Sequence, residues 1–437
     1  MKALASFLLL ILFALPAAAG VKINEVTSPG GIKAWLVEDH SIPFTALELR
    51  FRGGTSLDAP GKRGAVNLMV GLLEEGAGDL DARGFARATE SLAASFGFDV
   101  GADTASVSAR FLTENRDQAM DLLHQALLAP RFDPDAIRRV RAQVMTGLRS
   151  DAKDPDSIAG DAFRKMAYGD HPYGSDGSGT LDSVGDLTRD DLIAAHAAVF
   201  ARDRLYVAAV GDITPEALGD LLDKLLGDLP AEGAPLPGPA EVTINGGVTV
   251  IPFDTPQSVA LFGQPGIGRD DPDFFAAYVL NTIVGGGSFE SRLMDEVRVK
   301  RGLTYGVYSY LVPRDLAAVY MGSVASANDR IADAVQVIRD VWADVAANGV
   351  TQKELDDAKT YLTGAYPLRF DGNGKIASIM AGMQTDGKPI DYIDTRNDKV
   401  NAVTLEDIKR VAARLLQPEN LHFVVVGQPV GLETQTN

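Results

Sequence analysis

Imidazole and thiolate donors are sparse in this chain. Its five histidines are His40, His124, His171, His196 and His422, and no two share an i, i+3 or i, i+4 spacing. A zinc site needs several imidazole, carboxylate or thiolate donors converging on one ion. The chain has no cysteine, which removes thiolate metal sites, disulfides and a cysteine nucleophile. Each histidine therefore reads as a structural side chain with its hydrogen bonds satisfied. His171 lies beside Pro172 in a loop, and His422 opens a strand. Glu74 and Glu75 read as a solvated helix end. The run Gly285-Gly286-Gly287 invites a phosphate reading but lacks the Gly-Lys-Ser/Thr ending of a nucleotide loop. It reads as a tight turn or a loop on the substrate side of a cleft, and 370–375 reads as turn chemistry.

The elements that must position such residues fall into two similar halves. Residues 230–239 are rich in proline and glycine without apolar periodicity, the composition of a linker. The expected division is a signal peptide at 1–19, an N-terminal domain at 20–229, a linker at 230–240 and a C-terminal domain at 241–437. Thr188 and Thr404 each precede an acidic first turn and an apolar helix, as N-caps do. Each helix leads to an apolar strand ending in glycine, Leu205 to Gly211 and Leu421 to Gly427. The offset between the two copies is 216 residues throughout, which indicates internal duplication. Strands are expected at 32–36, 45–51, 106–111, 205–210, 249–252, 258–264 and 421–426. Helices are expected at 64–73, 81–96, 116–128, 134–150, 215–226, 273–284, 329–348 and 351–366. Strands clustered between helices without strict alternation predict α+β layers rather than a doubly wound parallel sheet.

Composition sets the surroundings. The chain has 437 residues, 46% of them hydrophobic and 23% charged, enough for two or three packed domains. Its formal net charge of −18 argues against nucleic acid as a partner, because such a surface repels phosphates. Met1-Lys2, the apolar run from Leu4 to Leu15 and the ending Pro16-Ala17-Ala18-Ala19 describe a secretory signal peptide cut after Ala19. The run is shorter than the ~20 apolar residues of a membrane span. The expectation is a periplasmic or secreted protein without a membrane anchor.

Several landmarks together resemble the insulinase, pitrilysin and mitochondrial-processing-peptidase family, the inverted zincins. In the first half these are Phe51-Arg52-Gly53-Gly54-Thr55-Ser56, the helix from Gly64, Asp154-Pro155, His171-Pro172-Tyr173-Gly174 and Val210-Gly211-Asp212. In the second half, Gly285-Gly286-Gly287-Ser288-Phe289-Glu290-Ser291-Arg292-Leu293 leads into Glu296-Val297-Arg298-Val299-Lys300-Arg301-Gly302-Leu303-Thr304-Tyr305. The resemblance covers nearly the whole mature chain. It implies two homologous domains, each a mostly antiparallel sheet layered with helices, forming half of a clamshell. In active members the motif His-x-x-Glu-His supplies two zinc ligands and a general base. Its positions fall here on Asn67, Val70 and Gly71: an amide, a branched alkane and no side chain. The family's third ligand, a downstream glutamate, falls on Gly147, counted either from Gly71 or back from Asp154-Pro155. A further acidic position falls on Val140. No shift of frame restores the motif, since His40 is the sole histidine in the first hundred residues.

Arg298 and Tyr305 match a pair that, in this family, reaches from the C-terminal half towards the zinc site. The resemblance implies that Arg298 holds the substrate and Tyr305 donates its phenolic hydrogen to the oxyanion formed on attack. A prepositioned donor at that oxyanion is worth roughly 3 kcal/mol of barrier, and an arginine fork suits carbonyls and carboxylates. Some family enzymes are heterodimers in which one subunit brings the zinc helix and the other the arginine–tyrosine pair. The leading expectation is a non-zinc subunit of this kind, without a cofactor of its own. It would pair with a zinc-bearing homologous subunit and act on peptides held along a sheet edge, with Gly285–Gly287 on the substrate side. The alternatives are a non-catalytic peptide-binding or assembly protein and, least favoured, a self-sufficient zinc peptidase.

Overall fold

The computed structural model describes residues 22–286 and 290–436. The signal-peptide segment and Gly287 lie outside the described residues. Two six-stranded sheets organise the chain. The first contains β1 (Asn24–Thr27), β2 (Lys33–Glu38), β3 (Phe44–Arg52), β4 (Ser95–Val100), β5 (Thr104–Leu112) and β6 (Leu205–Gly211). The second contains β7 (Gly247–Pro252), β8 (Gln257–Pro265), β9 (Val307–Pro313), β10 (Ala318–Ala327), β11 (His422–Gly427) and β12 (Gln435–Thr436).

The strand orders are β1-β2-β6-β3-β5-β4 and β12-β7-β11-β8-β10-β9. In each sheet one interior pair is parallel, β2 with β6 and β7 with β11, and the remaining pairs are antiparallel. The two halves thus share one topology and differ in the outermost strand, which comes from the start of the first half and the end of the second.

The duplicated signals act alike in both halves. The Thr188 side chain accepts a hydrogen bond from the Asp191 amide, and Thr404 accepts one from Asp407; both are complete capping boxes. The helices they open, Arg189–Val199 and Leu405–Leu415, pass through short turns at Arg202–Arg204 and Pro418–Asn420 into β6 and β11. Both strands end on a glycine in the left-handed region, Gly211 at φ 134° and Gly427 at φ 152°. A Cβ on Gly211 would lie 2.2 Å from the Phe44 carbonyl oxygen, so the close approach of β3 also demands glycine there.

Strand alternation explains how each sheet is buried on both faces. Along β3, Leu47, Leu49 and Phe51 enter the core of the first half, while Ala46 turns to the opposite face. That face is covered by a helix from the other half, Asn373–Thr385, through Ala377, Met380 and Ala381. The exchange is mutual. The helix Pro155–Tyr168 lays Ala159, Phe163 and Ala167 on the second sheet, against Val424 and Val426. Phe163 sits over Gly263 of β8, where a Cβ would lie 2.6 Å from its ring. Hydrogen bonds reinforce the crossing of Asn373–Thr385: Gln384 Nε2 donates to the Val207 carbonyl at 2.8 Å and Arg52 Nη2 to that of Thr385 at 2.8 Å.

One expected element is corrected. The helix expected at 81–96 spans Ala82–Ser91, and residues from Ser95 form β4, an edge strand. Ala93 has φ 49°, which stops the helix, and the following Phe-Gly-Phe alternates in the manner of a strand.

Candidate functional site

The first candidate region is built on two helices of the first half. Ala65–Val70 is six residues long, entered through Gly64 at φ 92° and closed by Gly71. Asn67 is half-buried, Val70 buried and Gly71 exposed. The facing helix is Pro134–Asp151, which carries buried Val140 and exposed Gly147. The fold brings Gly71 and Val140 together: a Cβ on Gly71 would lie 3.3 Å from Val140 Cγ1. Gly147 stands two turns further along the same face, about 10 Å from Val140 by helical rise, and a Cβ there would meet nothing within 4 Å.

These five positions do not fit zinc. Among them Asn67 alone has a side-chain oxygen or nitrogen, and a neutral amide is no substitute for imidazole or carboxylate. Nearby, Glu75 is ion-paired to Arg139 of the facing helix. Partial desolvation, reinforced by Glu75, pushes the Glu74 carboxyl above the usual carboxylate range. Among the described residues no group of three or more histidines and carboxylates converges as a metal site would require.

Every histidine has a hydrogen-bonding partner. His40 Nδ1 meets Asp212 at 2.6 Å, and that contact raises its pKa. His124 Nδ1 lies 3.1 Å from the Leu225 carbonyl. His171 accepts from the Tyr173 amide and reaches the Gly238 carbonyl. His196 Nε2 donates to the Leu127 carbonyl at 2.8 Å, and burial lowers its pKa. His422 lies between the Asn245 carbonyl and the Thr249 hydroxyl, again lowered by burial.

The second candidate region lies at one edge of the second sheet. The helix Phe274–Val284 ends at Gly285, whose amide donates to the Asn281 carbonyl and whose carbonyl accepts from the Ser309 amide, both at 2.9 Å. A Cβ on Gly285 would lie 2.5 Å from Ser309 Oγ, and one on Gly286 2.6 Å from Thr282 Cα. The glycines therefore let the helix exit close against β9, a tight turn in the sense expected from sequence. Beyond Gly287 the chain forms a π-helical segment, Met294–Val299, with half-buried Arg298 near its end and engaged by its surroundings. Such segments are rare and often mark functional sites.

The segment closes through Gly302, at φ 62°, whose amide donates to the Arg298 carbonyl at 2.9 Å. Thr304 Oγ1 then donates to the Ala325 carbonyl at 2.6 Å and accepts from the Gly306 amide at 3.1 Å. This pinned turn carries Tyr305 at its apex, 86% exposed. Along β9, Val307 and Ser309 point inward, while Tyr308 and Tyr310 point outward and are exposed. Among the described residues β9 has β10 as its one strand partner; on its outer side the Gly285 carbonyl takes the Ser309 amide, and the rest of that edge faces no strand. Tyr308 and Tyr310 escaped the sequence reading. Their signal was the alternation Val-Tyr-Ser-Tyr-Leu after Gly306, which has the period of a strand.

Two sheets of one topology, layered with helices and joined in a single chain, define a duplicated α+β architecture seen in a known peptidase class. Residues 33–180 match the family described as Insulinase (Peptidase family M16), and residues 186–362 match the Peptidase M16 inactive domain. A solved structure described as a peptidase M16 inactive domain, from Pseudomonas fluorescens, is 30% identical, with a TM-score of 0.88 over 94% of this chain and 100% of that one. The chain belongs to the insulinase (M16) family. Among curated relatives, the non-peptidase homolog YmxG of Helicobacter pylori is 28% identical over 89% of this chain and 90% of its own length. An uncharacterized zinc protease of Mycobacterium leprae is 28% identical over 92% and 91%. A Helicobacter pylori protease structure, at 17% identity and a TM-score of 0.84 over 93% of this chain and 99% of that one, shares the fold. The names "inactive domain" and "non-peptidase" agree with a chain that holds no zinc. No helix among the described residues is long and apolar enough to cross a membrane.

Proposed function

We propose that this chain is the non-zinc subunit of an exported heterodimeric metalloendopeptidase. The partner, a homologous subunit, brings the metal and its ligands. This chain brings Arg298 to hold the substrate and Tyr305 to donate a hydrogen bond to the oxyanion. Asn67, Val70, Gly71, Val140 and Gly147 are then the remnants of a zinc site whose work has moved to the other polypeptide. The observation that carries the reading is the placement of Tyr305. A phenol standing 86% exposed on a pinned turn, at the start of the sheet's outer strand, has its hydroxyl available to a group outside this chain. Peptides would lie beside β9 along the part of its edge that Gly285 leaves free, with the run that begins at Gly285 contributing to the substrate side. The mature protein works in the periplasm or outside the cell after cleavage near Ala19.

The test is to mix the purified chain with a homologous subunit carrying His-x-x-Glu-His and follow peptide cleavage. Activity is expected from the mixture and not from either chain alone. Tyr305→Phe in this chain should lower kcat roughly 100-fold, the usual cost of removing an oxyanion donor. Full activity of the zinc subunit alone, or unchanged turnover with Tyr305→Phe, would overturn the reading. The name of the Helicobacter pylori relative favours a second reading, a peptide-binding or assembly protein with no part in catalysis. Peptide binding by this chain, with no effect of Arg298→Ala or Tyr305→Phe on any partner's turnover, would establish that one instead.

A further inference from the structure

A cavity of about 390 Å³ opens where the two halves meet. It lies near the start of the helix Phe274–Val284, whereas Arg298 and Tyr305 lie past its other end, so it is independent of the site proposed above. Arg50 of β3 enters it from the first half; the second half supplies the turn Pro367–Arg369 and the helices Asn373–Thr385 and Tyr392–Asn401. The volume falls within the range of small-molecule sites, and domain interfaces are a common place for them.

The charge of the cavity opposes that of the chain. Its lining carries four cations, Arg50, Arg369, Lys388 and Arg396, and one carboxylate, Asp386, within a protein of formal net charge −18. Asp386 is already held by Arg269 at 3.1 Å. Arg50 has a carboxylate, Glu48, at 3.4 Å. Arg396 has none among the described residues. It is 95% buried, its relative exposure being 5%, and its hydrogen bonds go to neutral groups: the Leu362 carbonyl at 2.8 Å, Asn397 Oδ1 at 2.9 Å and the Tyr278 hydroxyl at 3.3 Å. Its guanidinium carbon stands 4.5 Å from the centre of the Tyr366 ring and 5.4 Å from that of Tyr278. Those rings soften the burial of the charge but do not neutralise it.

A buried cation without a counter-ion, lining a cavity walled by Phe274, Tyr278 and Tyr366, calls for an anion with a flat apolar body. The geometry points to a binding site for a small aromatic carboxylate. Its carboxylate would be received by Arg396 with Arg369, whose guanidinium forks suit planar anions. Its ring would lie among the aromatic side chains. Such a ligand would touch both halves and so tie their relative placement to its concentration.

Calorimetry on the purified full chain tests this with 3-phenylpropionate, its neutral amide and inorganic phosphate. Saturable binding of the carboxylate is expected at millimolar concentrations or below, with the amide and phosphate each at least roughly tenfold weaker, the worth of one charge-assisted contact. Arg369→Ala, on an exposed turn, should weaken the carboxylate roughly tenfold while leaving the thermal midpoint of the free protein in place. Arg396→Met should abolish binding, and Arg369→Ala keeps the test decisive if that variant does not fold. No saturable binding overturns the proposal, as does equal affinity for the amide or for phosphate, or a carboxylate affinity unchanged in Arg369→Ala.

Discussion

The two halves share a scaffold and differ at their working edges. In the first, the outer strand β4 carries Phe96 and Phe98, which lean half-buried onto their own core. In the second, the matching outer strand β9 carries Tyr308 and Tyr310 facing outward, with exposed Tyr305 just before it. The helices beside these edges differ in the same sense. In the first half the meeting of Ala65–Val70 with Pro134–Asp151 is apolar and tight, with Val140 filling the space beside Gly71. In the second half the helix exit at Gly285 is held by polar contacts to Ser309 and leads to Arg298. Duplication supplied two equivalent frames; outward-facing phenols stand at the outer strand of one and half-buried phenyl rings at that of the other.

The largest effect should come from breaking the exchange of helices between the halves. Phe163 is 1% exposed and packs on the second sheet; Met380 is fully buried on the first. Phe163→Ala removes a ring seated over Gly263 and should destabilise by about 3–5 kcal/mol, and Met380→Ala by about 2–5 kcal/mol. Urea unfolding followed by circular dichroism measures both. If the crossings weld the halves into one cooperative unit, either variant lowers the midpoint of a single transition. A transition that splits in two in the unsubstituted protein would show that the halves unfold independently.

The caps test whether the repeat is energetic as well as geometric. Thr188→Ala and Thr404→Ala each remove a side-chain oxygen that accepts from the third helical amide. Each should cost about 1 kcal/mol, and the double variant should sum the two, because the sites share no partner. Thermal melts of the three variants decide it. A cost confined to one half would mean that tertiary packing has taken over the role of the cap in the other.

The duplicated segments were legible in the sequence for a physical reason. Thr-capped helices, a fixed 216-residue offset and glycine-ended strands are local signals, and local signals survive into structure. Missing donors at Asn67, Val70 and Gly71 were equally readable, since the absence of an imidazole needs no geometry. The mutual crossing of Pro155–Tyr168 and Asn373–Thr385 was not. An apolar face does not say which sheet it will cover, and here each covers the sheet of the other half. The edge strand at Ser95 was hidden because Ala82–Ser91 and the residues after it read as one helical run; the break depends on the backbone of Ala93. Arg396 was silent because its isolation among neutral partners is a property of tertiary packing.

The smallest effect separates the halves by proton. His196 of the first half and His422 of the second are both lowered by burial from the usual histidine value of 6.5. In the folded chain each stays neutral where the unfolded chain takes up a proton. Stability is therefore lost as pH falls below 6.5, and the loss continues down to the lowered folded values. His40 acts in the opposite sense: its raised pKa adds stability that is present below 6.5 and lost as pH rises through the raised value. Its ring is exposed and solvent-screened, so the two buried histidines should dominate the slope. Urea midpoints at pH 7 and pH 5 measure it. His196→Gln can keep a donor towards the Leu127 carbonyl without the ionisation and should flatten the slope; His422→Asn should do so independently, each half contributing its share. If both substitutions leave the pH dependence of the midpoint intact, the carboxylates carry it and the buried imidazoles are silent.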